Sequence, residues 1–297
     1  MGLIMTLVAV STGRQSLPDI VARLERTLPC VGTPDWLAPS TACDIAVSGI
    51  DPQTAEMTAR RVIGGAPVDV LVQPRIGRRK QVLVADLEST IIENEMLDEL
   101  ADFVGLRAHV AEITRRAMNG ELDFAAALAE RVALLKGLPA SVLDQAASRI
   151  RLMGGARELI ATCRATGVRT ALVSGGFTVF AEPIGAMLGF DQVVANRLDG
   201  VDNKIAGTVA RPIVTRETKR GALLALADEC GIPPSATIAV GDGANDLPML
   251  EAAGLGVAFR AKPSVAAAAR WRVDHADLTA LLYAQGYRAE EIIGRFP

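Results

Sequence analysis

Val82-Leu83-Val84-Ala85-Asp86-Leu87-Glu88-Ser89-Thr90 is an apolar run that ends on a carboxylate and then turns polar. The same change recurs in Ala171-Leu172-Val173-Ser174-Gly175-Gly176 and in Ile238-Ala239-Val240-Gly241-Asp242-Gly243-Ala244-Asn245-Asp246. Short apolar runs without alternation read as strands covered on both faces. Helical periodicity separates them, and alternating strand–helix units imply a parallel sheet with helices on both sides. In open sheets of this kind the ligand sits beyond the carboxyl ends of the strands. Three such ends would bring Asp86, Glu88, Ser174, Asp242, Asn245 and Asp246 into one crevice.

Outward from this core, residues 94–151 follow a purely helical pattern, punctuated by Gly105, Gly120 and Gly137-Leu138-Pro139. About four short helices are expected there, forming a cap over residues 94–153 inserted after the first core strand. At the other end of the chain, Leu3–Val8, Cys43–Val47 and Val68–Val72 read as strands and Leu17–Leu28 and Asp51–Ile63 as helices, with room for a strand near Thr33–Leu37. That order predicts a ferredoxin-like α+β domain over residues 1–78. Gln73-Pro74-Arg75-Ile76-Gly77-Arg78-Arg79-Lys80 interrupts it and reads as a solvated linker, so the second domain is expected to cover residues 79–297. The fold class expected is α/β, a Rossmann-like core with a helical cap, preceded by the small α+β domain.

The 297 residues accommodate two domains of ordinary size. Half of them are apolar and 22% charged, which excludes a largely disordered chain. Lys+Arg 31 against Asp+Glu 34 leaves a net charge of −3, so no nucleic-acid footprint is present. No apolar stretch reaches the roughly 18 residues of a membrane span, and no basic secretory leader precedes the first strand, so a cytoplasmic protein is expected. The four cysteines, Cys30, Cys43, Cys163 and Cys230, lack paired spacing and read as reduced thiols. With His109 and His275 alone, a histidine-rich metal centre is excluded. The chemistry is therefore expected to be carboxylate chemistry.

A pocket crowded with carboxylates repels itself unless a cation enters, and all-oxygen donors suit Mg²⁺. Lys219, at the start of a helix, is placed to balance a bound phosphate. Simpler uses exist for each part: Asp246 alone serves equally as a helix N-cap, and Ser174-Gly175-Gly176 as an ordinary turn. Gly241-x-Gly243 begins like a dinucleotide fingerprint, but the position of its third glycine is Asp246, which argues against a dinucleotide.

The order D-x-[D/E]-x-T, S-G-G, Lys, G-D-G-x-N-D resembles the haloacid dehalogenase superfamily of phosphohydrolases. Residues 81–280, with Glu95 nine positions after Asp86, then Thr114-Arg115-Arg116-Ala117-Met118-Asn119-Gly120, Phe124 and Arg131-Val132-Ala133-Leu134-Leu135-Lys136, resemble its phosphoserine phosphatases more narrowly. The N-terminal segment is similar in topology to the ACT-like domain that some of them carry. The resemblance implies that Asp86 is the nucleophile and that Glu88, where the family usually has Asp, is the acid and base. It implies that Ser174, the Gly175 N–H and Lys219 hold phosphoryl oxygens, and that Asn245 helps to position them. It further implies Mg²⁺ held by Asp86, the Glu88 main-chain carbonyl, Asp242 and Asp246.

For a phosphoserine, Glu95 would pair the ammonium and Arg131 the carboxylate, with Met118 and Phe124 closing an apolar lid. Solvated helix faces for Glu95 and Arg131, and ordinary helix core for Met118 and Phe124, are the alternatives. Two rival functions remain open: a hydrolase or phosphotransferase for another amino-alcohol phosphate, and an amino-acid sensor with an impaired core. The expected partner is a small phosphoamino acid, with no nucleic acid or membrane. A homodimer through the N-terminal domain stays open.

Overall fold

A computed structural model describes residues 2–10, 16–118 and 121–294, the Met118 side chain lying outside the described residues. In chain order, β1 (Leu3–Ala9), α1 (Leu17–Thr27), β2 (Asp35–Ala38), β3 (Ala42–Val47), α2 (Pro52–Ile63) and β4 (Val68–Pro74) come first. β5 (Val82–Ala85) leads into α3 (Met96–Asp102), α4 (Arg107–Met118), α5 (Phe124–Ala133) and α6 (Ser141–Ala147), and then α7 (Ala156–Ala165). There follow β6 (Arg169–Phe177), α8 (Thr178–Leu188), β7 (Gln192–Asn196), β8 (Leu198–Val201), β9 (Lys204–Val209) and α9 (Arg216–Glu229). β10 (Thr237–Gly241), α10 (Leu247–Ala252), β11 (Leu255–Phe259), α11 (Pro263–Ala268), β12 (Trp271–Val273) and α12 (Ala280–Ala284) complete the chain.

The chain divides into two compact units: Met1–Lys80 with Gly154–Thr166 and Trp271–Pro297, and Gln81–Met153 with Gly167–Arg270. The first contains an antiparallel sheet of order β2-β3-β1-β4, the ferredoxin-like arrangement. Its helices start where the sequence supplies caps. Ser16 accepts the Asp19 N–H and Asp51 the Thr54 N–H, each followed by a proline in the first turn. Leu17, Ile20, Val21 and Leu24 of α1 and Ala55, Ala59 and Ile63 of α2 form the buried faces, at helical spacing.

The C-terminal residues belong to this first unit because buried polar groups tie them there. Asp69 accepts the N–H groups of Asp274 at 2.7 Å and Ala276 at 2.8 Å, and Trp271 Nε1 donates to the Val72 carbonyl at 2.8 Å. The stretch Gln73–Lys80 is solvated only in part: Pro74–Gly77 and Arg79 are exposed, but its other residues are not. Gln73 and Lys80 are buried, and Arg78 pairs with Asp44 at 2.6 Å while donating to the Ala284 carbonyl. Arg78 and Lys80 are spent on carbonyls and a carboxylate inside the unit rather than on water alone.

In the second unit, β11-β10-β5-β6-β7 form a parallel sheet. Strands β5, β10 and β11 are buried throughout, as their uninterrupted apolar sequences require. Helices α3 to α6 are the four expected between the first and second core strands. The β8–β9 hairpin turns at Asp202 and Asn203, both at positive φ (50° and 58°), the conformation of the tight turns that join twisted strands.

Candidate active site

Strands β5, β6 and β10 lie side by side, so their carboxyl ends deliver Asp86, Ser174 and Asp242 to one place. The Asp86 N–H extends the ladder by donating to the Val240 carbonyl at 3.0 Å. Asp86, Asp242 and Asp246 are buried, and a carboxylate oxygen from each lies within 4.8 Å of the others. Lys219 comes from the first turn of α9, whose start is fixed by a reciprocal Thr215–Thr218 cap. Its Nζ lies 2.5 Å from Asp86 Oδ1 and 2.6 Å from Asp246 Oδ1. Asp246 Oδ2 accepts the N–H groups of Asp242 at 3.1 Å and Gly243 at 2.9 Å, which holds the loop after β10 in shape.

Ser174-Gly175-Gly176 is not a turn: β6 runs through it to Phe177. Ser174 Oγ accepts the Gly176 N–H at 2.9 Å. Side chains approach both glycines closely. A Cβ at Gly175 would fall 2.6 Å from the Phe124 ring, and one at Gly176 would fall 2.9 Å from Glu88 Oε2. Phe124 and the Glu88 carboxyl therefore press directly on this strand end. Asn245 lines the same pocket, and its Oδ1 is buried without a hydrogen-bond partner among the described residues.

The cap contributes the opposite wall. Glu88 Oε1 accepts the Met96 N–H at 2.9 Å, and Glu95 accepts the Ser89 hydroxyl at 2.7 Å. Arg131, on α5, is 3% exposed and lines the pocket together with Glu88, Glu95 and Phe124. Glu95 and Arg131 are thus not on solvated helix faces. The Met118 side chain lies outside the described residues.

The electrostatics follow from burial. Burial pushes the Glu88 carboxyl up to about 8, aided by Glu95 beside it. Burial and then Glu95 lift Asp242 to about 7, against the pull of Lys262. Asp86 is raised well above the carboxylate range, first by burial and also by Asp246 and Asp242, although Lys219 opposes the shift. Burial alone would lower Lys219, but Asp246 and Asp86 outweigh it and hold it charged. The donor set fits a hard divalent cation: three crowded, buried carboxylates, of which Asp86 and Asp242 have ionised forms disfavoured by burial until further positive charge arrives.

Several contributors escaped the sequence reading. Lys262 Nζ lies 3.0 Å from Asp242 Oδ2, and its N–H donates to the Asp242 carbonyl. It sits just beyond β11, a fourth strand end in the same sheet, and that position was a usable signal. Ser89, Asp98 and Thr114, which hold Glu95 and Arg131, gave no signal separate from ordinary polar helix and loop residues.

The family model for haloacid dehalogenase-like hydrolases matches residues 83–251. The chain belongs to this family. As a haloacid dehalogenase-like hydrolase it is similar to the phosphoserine phosphatase of Streptomyces coelicolor, 43% identical over 256 residues. That match covers 86% of this chain but only 62% of the relative. Among solved structures, a hydrolase of this family from Salmonella enterica serovar Typhi superposes with a TM-score of 0.84 at 28% identity, covering 95% of this chain and 98% of that one. A phospho-aspartyl intermediate analogue of phosphoserine phosphatase gives 0.66 at 39% identity, covering 69% and 98%.

Proposed function

We propose that this protein is a Mg²⁺-dependent phosphoserine phosphatase that hydrolyses O-phospho-L-serine to L-serine and phosphate through an aspartyl-phosphate. The observation that carries the reading is the convergence of Glu95 and Arg131 on the pocket that also contains Asp86 and Glu88. A carboxylate for an ammonium and a guanidinium for a carboxylate, facing a carboxylate nucleophile, match the three charged groups of phosphoserine. The similarity to curated phosphoserine phosphatases supports the same substrate.

In this reading an Asp86 oxygen attacks phosphorus and the seryl C–O–P link breaks at the P–O bond. Glu88, protonated at neutral pH because it is buried, gives its proton to the departing seryl oxygen. Glu88, now ionised, takes a proton from the water that attacks the aspartyl-phosphate, which returns Asp86 and releases phosphate. Lys219, Ser174 and the Gly175 N–H stabilise the phosphoryl oxygens as charge develops, and Asn245 positions them. Phe124, against Gly175, excludes water from the covalent stage, the role also assigned to Met118. Bound Mg²⁺ would be held by Asp86, Asp242 and the Glu88 main-chain carbonyl, with Asp246 completing its surroundings, and would offset phosphate charge.

Residues 1–78 would serve as an ACT-like module and 79–297 as the phosphatase portion, capped by 94–153. No helix among the described residues is long and apolar enough to cross a membrane. A cytoplasmic location and a homodimer through the first module complete the proposal. The test is phosphate release from a panel of phosphorylated amino acids and amino alcohols, with Mg²⁺ and with EDTA. Phosphoserine should be the preferred substrate. Equal turnover of phosphoethanolamine, or full activity in EDTA, would overturn the reading.

A further inference from the structure

Arg131 is buried yet makes no ion pair among the described residues. Its Nε donates to the Ala127 carbonyl one turn back at 3.0 Å, and its Nη1 donates to Thr114 Oγ1 at 2.8 Å. A guanidinium has five N–H donors, so much of its capacity is left for the pocket it lines. Glu88, Glu95 and Asp98 act on it electrostatically without bonding it, so its unused donors are open to an anion that enters the pocket.

Among the described residues Thr114 is the one side chain hydrogen-bonded to the guanidinium, and it is itself fixed. Thr114 Oγ1 lies 2.9 Å from Asp98 Oδ1 and 3.0 Å from the Val110 carbonyl, both of which can accept its one proton. Its lone pairs therefore face Arg131. Asp98 is on α3, Thr114 on α4 and Arg131 on α5, so the relay joins three cap helices. It holds the Asp98 carboxylate one hydroxyl away from the guanidinium. Direct pairing would cancel the charge; this spacing orients the fork and leaves it free.

We propose that Thr114, anchored by Asp98, is the positioning residue that presents Arg131 to the carboxylate of the substrate. This rests on the reading of Arg131 as the carboxylate site of a phosphoserine phosphatase. Without the hydroxyl, only the Nε bond to the Ala127 carbonyl is left to oppose turning of the guanidinium toward the carboxylates of Asp98, Glu95 or Glu88. Binding of the carboxylate then weakens, while phosphoryl transfer at Asp86 is untouched. The sequence run Thr114-Arg115-Arg116-Ala117 acquires a purpose here for its first residue.

The experiment measures kcat and KM for phosphoserine and for phosphoethanolamine, which keeps the ammonium and lacks the carboxylate. Thr114→Val should raise KM for phosphoserine about tenfold, the scale of one orienting hydrogen bond to a charged group. Its kcat, and both constants for phosphoethanolamine, should stay close to the parent values. Thr114→Ser should restore the parent KM, and Asp98→Ala should shift it in the same direction as Thr114→Val. If Thr114→Val does not fold, Asp98→Ala and Thr114→Ser carry the test. Equal losses on both esters, or an unchanged KM for phosphoserine, overturn the proposal. Arg131→Ala separates the two levels. If it discriminates between the esters and Thr114→Val does not, only the positioning role falls; if it lowers both alike, the carboxylate site falls and the proposal with it.

Discussion

Lys219 Nζ lies 2.5 Å from Asp86 Oδ1, with both side chains buried. The same ammonium reaches Asp246, so one cation binds two of the three carboxylates at the strand ends. Removing the one cation leaves two buried carboxylates without its charge, whereas losing one carboxylate leaves Lys219 paired with the other. Lys219→Met should therefore destabilise the metal-free protein by roughly 3–5 kcal/mol. Added Mg²⁺ should return part of that loss. Urea unfolding in EDTA and in Mg²⁺ checks both statements, and an unchanged midpoint in EDTA would defeat them.

Asp86→Asn tests the nucleophile. The amide has the same shape, and it removes one of three crowded carboxylates, so the variant should fold with a melting temperature near the parent's. It should release no phosphate from phosphoserine. Acid-quenched reactions of the parent should contain phosphate bound to Asp86; finding it on another residue would refute the assignment.

The strand ends were legible because a buried strand that stops at a carboxylate has few structural explanations. Asp86, Asp242 and Asp246 needed only the sheet order to be brought together. Glu95 and Arg131 were readable through the resemblance of the cap sequence to phosphoserine phosphatases rather than through any property of their own helices. Thr114, Asp98 and Lys262 were not readable, because each acts through a contact between elements remote in sequence. The basic stretch ending at Lys80 misled for a related reason. Charge suggests water, but Arg78 finds Asp44 and the Ala284 carbonyl, partners at opposite ends of the chain.

Asp69 should matter for stability and not for the chemistry. Its carboxylate caps three consecutive N–H groups, those of Asp274, His275 and Ala276. Asp69→Ala removes the acceptor these three N–H groups share, at about 1–3 kcal/mol for each donor that finds no replacement. A lower melting temperature with kcat on phosphoserine unchanged is expected. A fall in kcat with unaltered stability would be the opposite result.

Cys163 gives a pH dependence of known sign. Burial raises its thiol to about 12, whereas an unfolded thiol titrates near 8.5. Below about 8.5 both states hold the proton and the full contribution to stability is present. Between that pH and about 12 the unfolded chain binds fewer protons than the folded one, so stability falls as pH rises. The slope from this thiol is at most about 1.4 kcal/mol per pH unit. Urea midpoints of the parent should drop between pH 8.5 and 10.5 more steeply than those of Cys163→Ala, and parallel slopes would contradict the burial argument.

Glu88 is the residue whose replacement is most informative, because it stands where the family usually has Asp. Asp and Glu differ little in intrinsic acidity, about 3.9 against 4.3, so the proton transfer itself is open to either. Reach is what differs. The longer side chain lets Oε1 accept the Met96 N–H at 2.9 Å at the start of α3 while Oε2 lies against Gly176. The carboxyl is therefore bonded to the cap and packed close to the β6 strand end. Glu88→Gln keeps that shape and removes the transferable proton, so kcat should fall about 10²- to 10⁴-fold with KM little changed. Glu88→Asp keeps the proton and shortens the arm by one methylene. It should lose the Met96 contact and yet retain measurable turnover, well above Glu88→Gln. Steady-state kinetics on phosphoserine rank the three proteins. Parent-like turnover by Glu88→Gln would mean that the seryl oxygen takes its proton from another group.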